Sequence, residues 1–149
     1  MIRKAYVHEI KEIYKIIQKN SEEGKLLPRS YNQLYENIRD YFVYEKNNSI
    51  IGICALHISW ENLAEIKSLA VLESERKKGI GTELLKASLM EARDLGLKQV
   101  FTLTYITELF RKNGFKEVEK NSLPHKIWSE CVNCVHFPDC DEIAMMIDL

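Results

Sequence analysis

The stretch Arg76-Lys77-Lys78-Gly79-Ile80-Gly81 does most to limit what this chain can fold into. It separates a strand-like run, Glu65 to Leu72, from a long amphipathic segment, Gly79 to Leu95. The second segment sets Ile80, Leu84, Leu85, Leu89 and Ala92 on one helical stripe, with Gly96 as a C-cap. A basic, glycine-punctuated turn therefore ends where a helix begins. The start of a helix leaves backbone N–H groups without internal partners, and the macrodipole makes that end partly positive. Glycines let a bulky anion approach the backbone. The expected occupant is a pyrophosphate held by N–H groups from Lys77 to Thr82, including those of Gly79, Ile80 and Gly81. Lys77 and Lys78 add charge, and Arg76 frames the turn or contacts phosphate. The competing reading is a solvated, charged loop whose glycines serve only a tight turn.

The remaining elements follow from periodicity and punctuation. Ile2 to Lys4 reads as a strand. Val7 to Lys19 has helical spacing at Ile10, Ile13, Tyr14, Ile16 and Ile17, and Gly24 closes that region. Leu26-Leu27-Pro28-Arg29 is a loop, and Ser30 caps a second helix running to about Arg39. Tyr41 to Glu45 and Ser49 to Ser59 form a hairpin over Lys46-Asn47-Asn48. Lys98 to Thr104 is a strand, Thr107 to Lys112 a short helix, and Phe115 to Glu119 and Ile143 to Ile147 the last strands. Strand, turn, helix, strand is a crossover between sheet neighbours, so the class is α/β with a mixed sheet. Strand alternation puts Glu65, Lys67, Leu69 and Val71 on one face. A glutamate and a lysine there predict that this face borders a cleft at its start.

A formal net charge of −1 gives no general attraction to nucleic acid or to anionic membranes. No apolar run has the length of a membrane span, and the N-terminus lacks the apolar core of a signal peptide. A cytoplasmic protein is the expectation, with residues 1–149 as a single domain. Cys54 stands alone in an apolar strand, whereas Cys131, Cys134 and Cys140 cluster with His136 in a loop at 121–142. Three thiols and an imidazole could bind a structural zinc; free thiols packed as small hydrophobes are the alternative.

This order of elements, with R-x-x-G-x-G at the strand–helix junction, resembles the GNAT superfamily of acetyl-CoA-dependent N-acetyltransferases. Leu109-Phe110-Arg111-Lys112-Asn113-Gly114-Phe115 is similar to the family's second signature. The resemblance implies a mostly antiparallel twisted sheet, splayed between its fourth and fifth strands and flanked by helices. It implies acetyl-CoA as co-substrate, its arm on backbone groups of Leu69, Ala70 and Val71 beside Phe110, and those groups near the developing oxyanion. Glu65 matches the position of a general base in some members. Many members carry a proton-donating tyrosine where this chain has Phe110, so Tyr105 is the substitute candidate, or no acid is used. Superfamily habit suggests a homodimer.

A narrower resemblance, to the acetyltransferase part of N-acetylglutamate synthases, rests on Gly24 to Ser30, Cys54-Ala55-Leu56, Ala64 to Val71, Phe101 to Thr104 and Leu123 to Trp128. The short, standalone form is the most similar, and the kinase-like domain of the larger form has no room here. The implied reaction takes L-glutamate to N-acetyl-L-glutamate in arginine biosynthesis, by direct attack. Two carboxylates need at least two cationic anchors. Arg29, Lys67 and Lys126 are the candidates in that order, with Arg111 and Lys112 behind them. The alternatives are another amine acceptor, or a non-catalytic acetyl-CoA-binding module.

Overall fold

A hairpin, a helical crossover and a return strand dictate how the strands meet. The computed structural model describes residues 1–123 and 142–149. Lys126 and the cluster Cys131, Cys134, Cys140 lie outside them. Among the described residues β1 (Ile2–Lys4), β2 (Tyr41–Lys46), β3 (Ser49–Trp60), β4 (Leu63–Val71), β5 (Gln99–Thr104), β6 (Lys116–Glu117) and β7 (Ile143–Asp148) form one sheet. Its order is β1-β2-β3-β4-β5-β7-β6. Neighbours are antiparallel except β4 and β5. Those two run parallel because α3 (Ile80–Asp94) carries the chain back between them. Asn47 and Asn48, at φ 52° and 63°, make the two-residue turn between β2 and β3. Asparagine tolerates that left-handed region, and the turn's twist matches that of the strands.

Two cores form on opposite faces of the sheet. On one, Ile10, Ile13 and Ile17 of α1 (Ile10–Glu22) and Leu34 of α2 (Tyr31–Glu36) pack on Val43, Ile53, Ala55 and Ala70. On the other, the predicted α3 stripe packs on Cys54, Leu56, Ile66 and Val100, joined by Phe110 and Phe115. Ser30 caps α2 as expected: its Oγ accepts from the Gln33 N–H at 3.1 Å, and the Ser30 N–H donates to Gln33 Oε1 at 2.8 Å. The helix stops at Glu36, short of the predicted end near Arg39. Asn37 Nδ2 donates to the Gln33 carbonyl at 2.8 Å, a side-chain bond that competes with the next helical turn. Among the described residues no helix is long and apolar enough to cross a membrane.

The predicted common face of Glu65, Lys67, Leu69 and Val71 is corrected by a bulge. Ala55 faces Lys67, but Ile53 faces Ala70, so β4 carries one extra residue there. Ser68 absorbs it at φ 54°. Parity reverses across the bulge. Glu65 and Lys67 share the α1–α2 side with Ala55 and Ala70, while Leu69 and Val71 pack with the α3 core. The α1–α2 face of β4 therefore holds the two charged residues, while Leu69 and Val71 turn to the α3 face.

β3 touches α3 closely at Gly52. A Cβ there would lie 2.9 Å from Leu84 Cδ1 and 3.1 Å from Ile80 Cγ2. Gly52→Val should destabilise the fold by about 1–3 kcal/mol through overpacking. At about 2–4 °C per kcal/mol for a chain of this size, thermal unfolding followed by circular dichroism would read the change as a lower Tm.

Candidate active site

The sheet opens where β4 and β5 part. Their pairing runs from Leu63↔Gln99 to Ile66↔Thr102 and stops, although β4 continues to Val71 and β5 to Thr104. At the fork Thr102 Oγ1 donates to the Ile66 carbonyl at 3.0 Å. β4 stays paired to β3 beyond this point through Ala70 and Val71. Its other edge, from Lys67 onward, faces the gap. The backbone of Leu69, Ala70 and Val71 is thus placed at a splay, as the resemblance implied.

Beside this edge the basic turn delivers the chain to α3. Lys77 and Gly79 both take left-handed φ, 65° and 81°. Alternation of hand turns successive N–H groups to one side, the geometry of an anion-binding concavity. Gly79 offers no side chain to cap the helix, so the first-turn N–H groups of Ile80, Gly81 and Thr82 are left to an external acceptor. A Cβ on Gly81 would lie 3.5 Å from Leu109 Cδ2 and 3.9 Å from Val71 Cγ2, so this glycine sets how closely the turn approaches the gap. These features fit a pyrophosphate.

Arg76 frames the turn. Its Nε donates to the Val71 carbonyl at 3.2 Å, and its two Nη groups reach Glu23 at 3.2 and 3.3 Å and Asn20 Oδ1 at 3.1 Å. The guanidinium thereby ties the end of β4 to the end of α1, and the Arg76 pair holds the Glu23 carboxyl below its usual range. Lys78 Nζ donates to Glu75 at 3.0 Å, and Lys46 does so at 2.9 Å. Those two cations hold the Glu75 carboxyl low as well.

A cleft of about 370 Å³ opens at the fork, lined by Glu65 and Lys67 of one sheet face and by Leu69 and Phe110 of the other. It brings together Arg29, Glu65, Lys67, Leu69 and Phe110 from the sequence expectations, and adds Lys25, Asp40, Tyr41, His57 and Ser68. Glu65 is only 7% exposed, and its Oε1 lies 3.8 Å from Lys67 Nζ. His57, opposite Glu65 across the β3–β4 ladder, contacts Asp40 Oδ2 through Nδ1 at 2.6 Å. The Tyr41 hydroxyl donates to Ser68 Oγ at 3.3 Å. Burial pushes the Tyr41 phenol up, which keeps it a neutral donor. Phe110 is buried edge-on against Phe115 with ring centroids 5.1 Å apart, so it supplies an apolar wall.

Other expected residues stand apart. Tyr105 lies in the bend after β5 and does not line the cleft. Arg111 and Lys112, on α4 (Glu108–Lys112), are also absent from its lining; they pair with Glu117 and Glu108 at 3.8 and 3.1 Å. Among the described residues no cluster of metal-ligating side chains occurs. Sequence reasoning missed His57 and Asp40. Reading the hairpin register onto β4 would have exposed the first, because a histidine two residues beyond Ala55 falls opposite Glu65.

A parted sheet beside a helix start with open backbone N–H groups, and a charged cleft on the same strand, is the architecture of an N-acyltransferase. The chain belongs to the acetyltransferase (GNAT) family, whose model matches residues 7–115. It is 41% identical over 145 residues to an uncharacterized N-acetyltransferase of Chlorobaculum tepidum, covering 97% of this chain and 94% of that one. It is 32% identical over 134 residues to the amino-acid acetyltransferase of Mycobacterium tuberculosis, covering 87% and 76%. Its fold matches N-acetylglutamate synthase from Neisseria gonorrhoeae, solved with coenzyme A and N-acetyl-glutamate, with a TM-score of 0.91 at 27% identity. That match covers 100% of this chain and 35% of the synthase, so the chain spans about a third of its length.

Proposed function

We propose that this chain transfers the acetyl group of acetyl-CoA to the amine of L-glutamate, giving N-acetyl-L-glutamate for arginine biosynthesis. The observation that carries the reading is the convergence of Arg29 and Lys67 on the cleft that holds Glu65, at the fork of β4 and β5. An acceptor with two carboxylates and one amine needs two cations and one anion in that arrangement. The bound N-acetyl-glutamate of the Neisseria synthase supports it. In this reading the turn from Arg76 to Thr82 takes the pyrophosphate, and the β4 backbone from Leu69 to Val71 takes the donor's arm. Arg29 and Lys67 anchor the carboxylates, and Glu65 holds the amine.

In this reading the transfer is direct, from thioester to amine. Cys54, the cysteine among the described residues, is buried with its thiol pushed up to about 12, so it is no thiolate nucleophile. The leaving group asks little of the protein, since a thiol ordinarily ionises near neutral pH, around 8.5. Phe110 and Tyr105 are then not required as acids.

The test is CoA release from acetyl-CoA with L-glutamate, D-glutamate, L-aspartate, L-glutamine and spermidine as acceptors. Turnover on L-glutamate above the rest is the expected result. Preference for spermidine would sink the carboxylate-anchor reading, and CoA binding with no turnover on any amine would favour a binding module. Arg29→Ala should raise the KM for L-glutamate by about 10–100-fold, as loss of a charged hydrogen bond does. It should leave kcat nearly unchanged if the contact is equal in ground and transition states. Steady-state kinetics with acetyl-CoA saturating checks this.

A further inference from the structure

An amino acid reaches the enzyme as an ammonium ion and must lose a proton before it attacks a thioester. The cleft contains a pair suited to receive it. His57 Nδ1 and Asp40 Oδ2 are 2.6 Å apart, and both residues line the cleft. An ionised carboxylate only accepts, so the hydrogen between them sits on Nδ1. With Nδ1 committed to Asp40, Nε2 is the nitrogen left to meet an occupant. His57 is the register partner of Glu65, and directly opposed residues of an antiparallel pair share a face with Cβ atoms about 4.5–5.5 Å apart. Glu65 already has the Lys67 ammonium 3.8 Å away. A carboxylate shared with a lysine is suited to holding an ammonium, and an imidazole oriented by a second carboxylate is suited to removing its proton.

Resting on the glutamate-acetylation reading, we propose that His57, oriented by Asp40, is the base that takes the amine proton, while Glu65 positions the amine. The ammonium proton passes to Nε2, and the imidazolium that forms faces the Asp40 carboxylate. The freed nitrogen lone pair makes the N–C bond as the C–S bond breaks. The sulfur leaves with the bonding pair and takes the second amine proton. His57 then returns its proton to water, which reaches the ring because its side chain is 30% exposed.

The experiment is steady-state CoA release with L-glutamate for His57→Ala, His57→Gln and Asp40→Asn, with and without added imidazole. Calorimetric CoA affinity reports whether each variant keeps its fold. Both His57 variants should lose about 10²-fold in kcat, the usual scale for a positioned base, with smaller changes in KM. Imidazole should restore much of the lost kcat in His57→Ala, where it has room to bind, and little in His57→Gln. Asp40→Asn should lose about tenfold or more, because an amide can donate to Nδ1 and favour the other tautomer. Near-normal kcat in His57→Gln overturns the proposal. So does a loss in His57→Ala that imidazole leaves untouched, or a raised KM for L-glutamate at normal kcat, which would make the ring a carboxylate anchor. Wild-type protein inactive on every amino acid would remove the acetylation reading and this one together. Active wild type beside fully active His57 variants would remove this one alone.

Discussion

Gly79→Val should weaken CoA binding by about 10²-fold while leaving most of the fold intact. Gly79 sits at φ 81° as the residue before α3, and nothing lies within 4 Å of where its Cβ would be. A valine therefore meets no neighbour. The penalty is conformational, about 1–2 kcal/mol for a left-handed L-residue and more for a β-branched one. The chain relieves it by rotating the backbone, which turns the N–H groups of the Lys77–Thr82 arc away from a common point. Losing two charge-assisted hydrogen bonds at about 1.5 kcal/mol each accounts for the stated factor. Gly79→Asn is the control, since asparagine tolerates the left-handed region and should keep most of the affinity. Titration calorimetry with CoA reads both. Wild-type affinity in the valine variant would mean that the phosphates sit elsewhere.

The parts of this molecule legible in the sequence are those set by local rules. The α3 stripe from Ile80 to Ala92 shows in its 3.6-residue period, the Asn47-Asn48 turn in its residue types, and the Ser30 cap in a serine placed just before a helical run. The site was legible only where it depends on such elements. The bulge at Ser68 was not, because period-two counting assumes an unbroken ladder. A serine carries no mark that it will take φ 54° under the Tyr41 hydroxyl. The Asp40–His57 contact joins residues 17 apart, brought together by the β2–β3 register and the 3₁₀ turn Ile38–Asp40 that precedes β2. Arg76 showed its charge in the sequence, but its grip on Glu23, 53 residues away, needed the docking of α1. That grip roots the loop 25–29, which lines the cleft, against the turn that starts α3.

Glu65→Gln should lower kcat by about 10²-fold with CoA affinity unchanged. The side chain is nearly isosteric, so packing at this 7% exposed position is kept and the charge alone is removed. If Glu65 holds the amine, its loss misplaces the attacking nitrogen, and an error of about 1 Å costs about that factor. The donor turn lies at the start of α3, away from the residue, which is why CoA binding should not follow. The competing account is that Glu65 serves only to neutralise Lys67, whose Nζ is 3.8 Å away. Stability and activity would then fall together in Glu65→Gln, because removing one charge of a buried pair leaves the other inside. The double variant Glu65→Gln with Lys67→Met separates the two. Removing both charges should recover part of the Tm in either case, since the mismatch between these two is gone. It should recover kcat only under the pairing account, because an amine with no carboxylate to meet it stays misplaced whatever occupies position 67. A double variant that is stable and still slow, compared at saturating acetyl-CoA and L-glutamate so that any anchoring lost with Lys67 does not enter, assigns the loss to Glu65 itself.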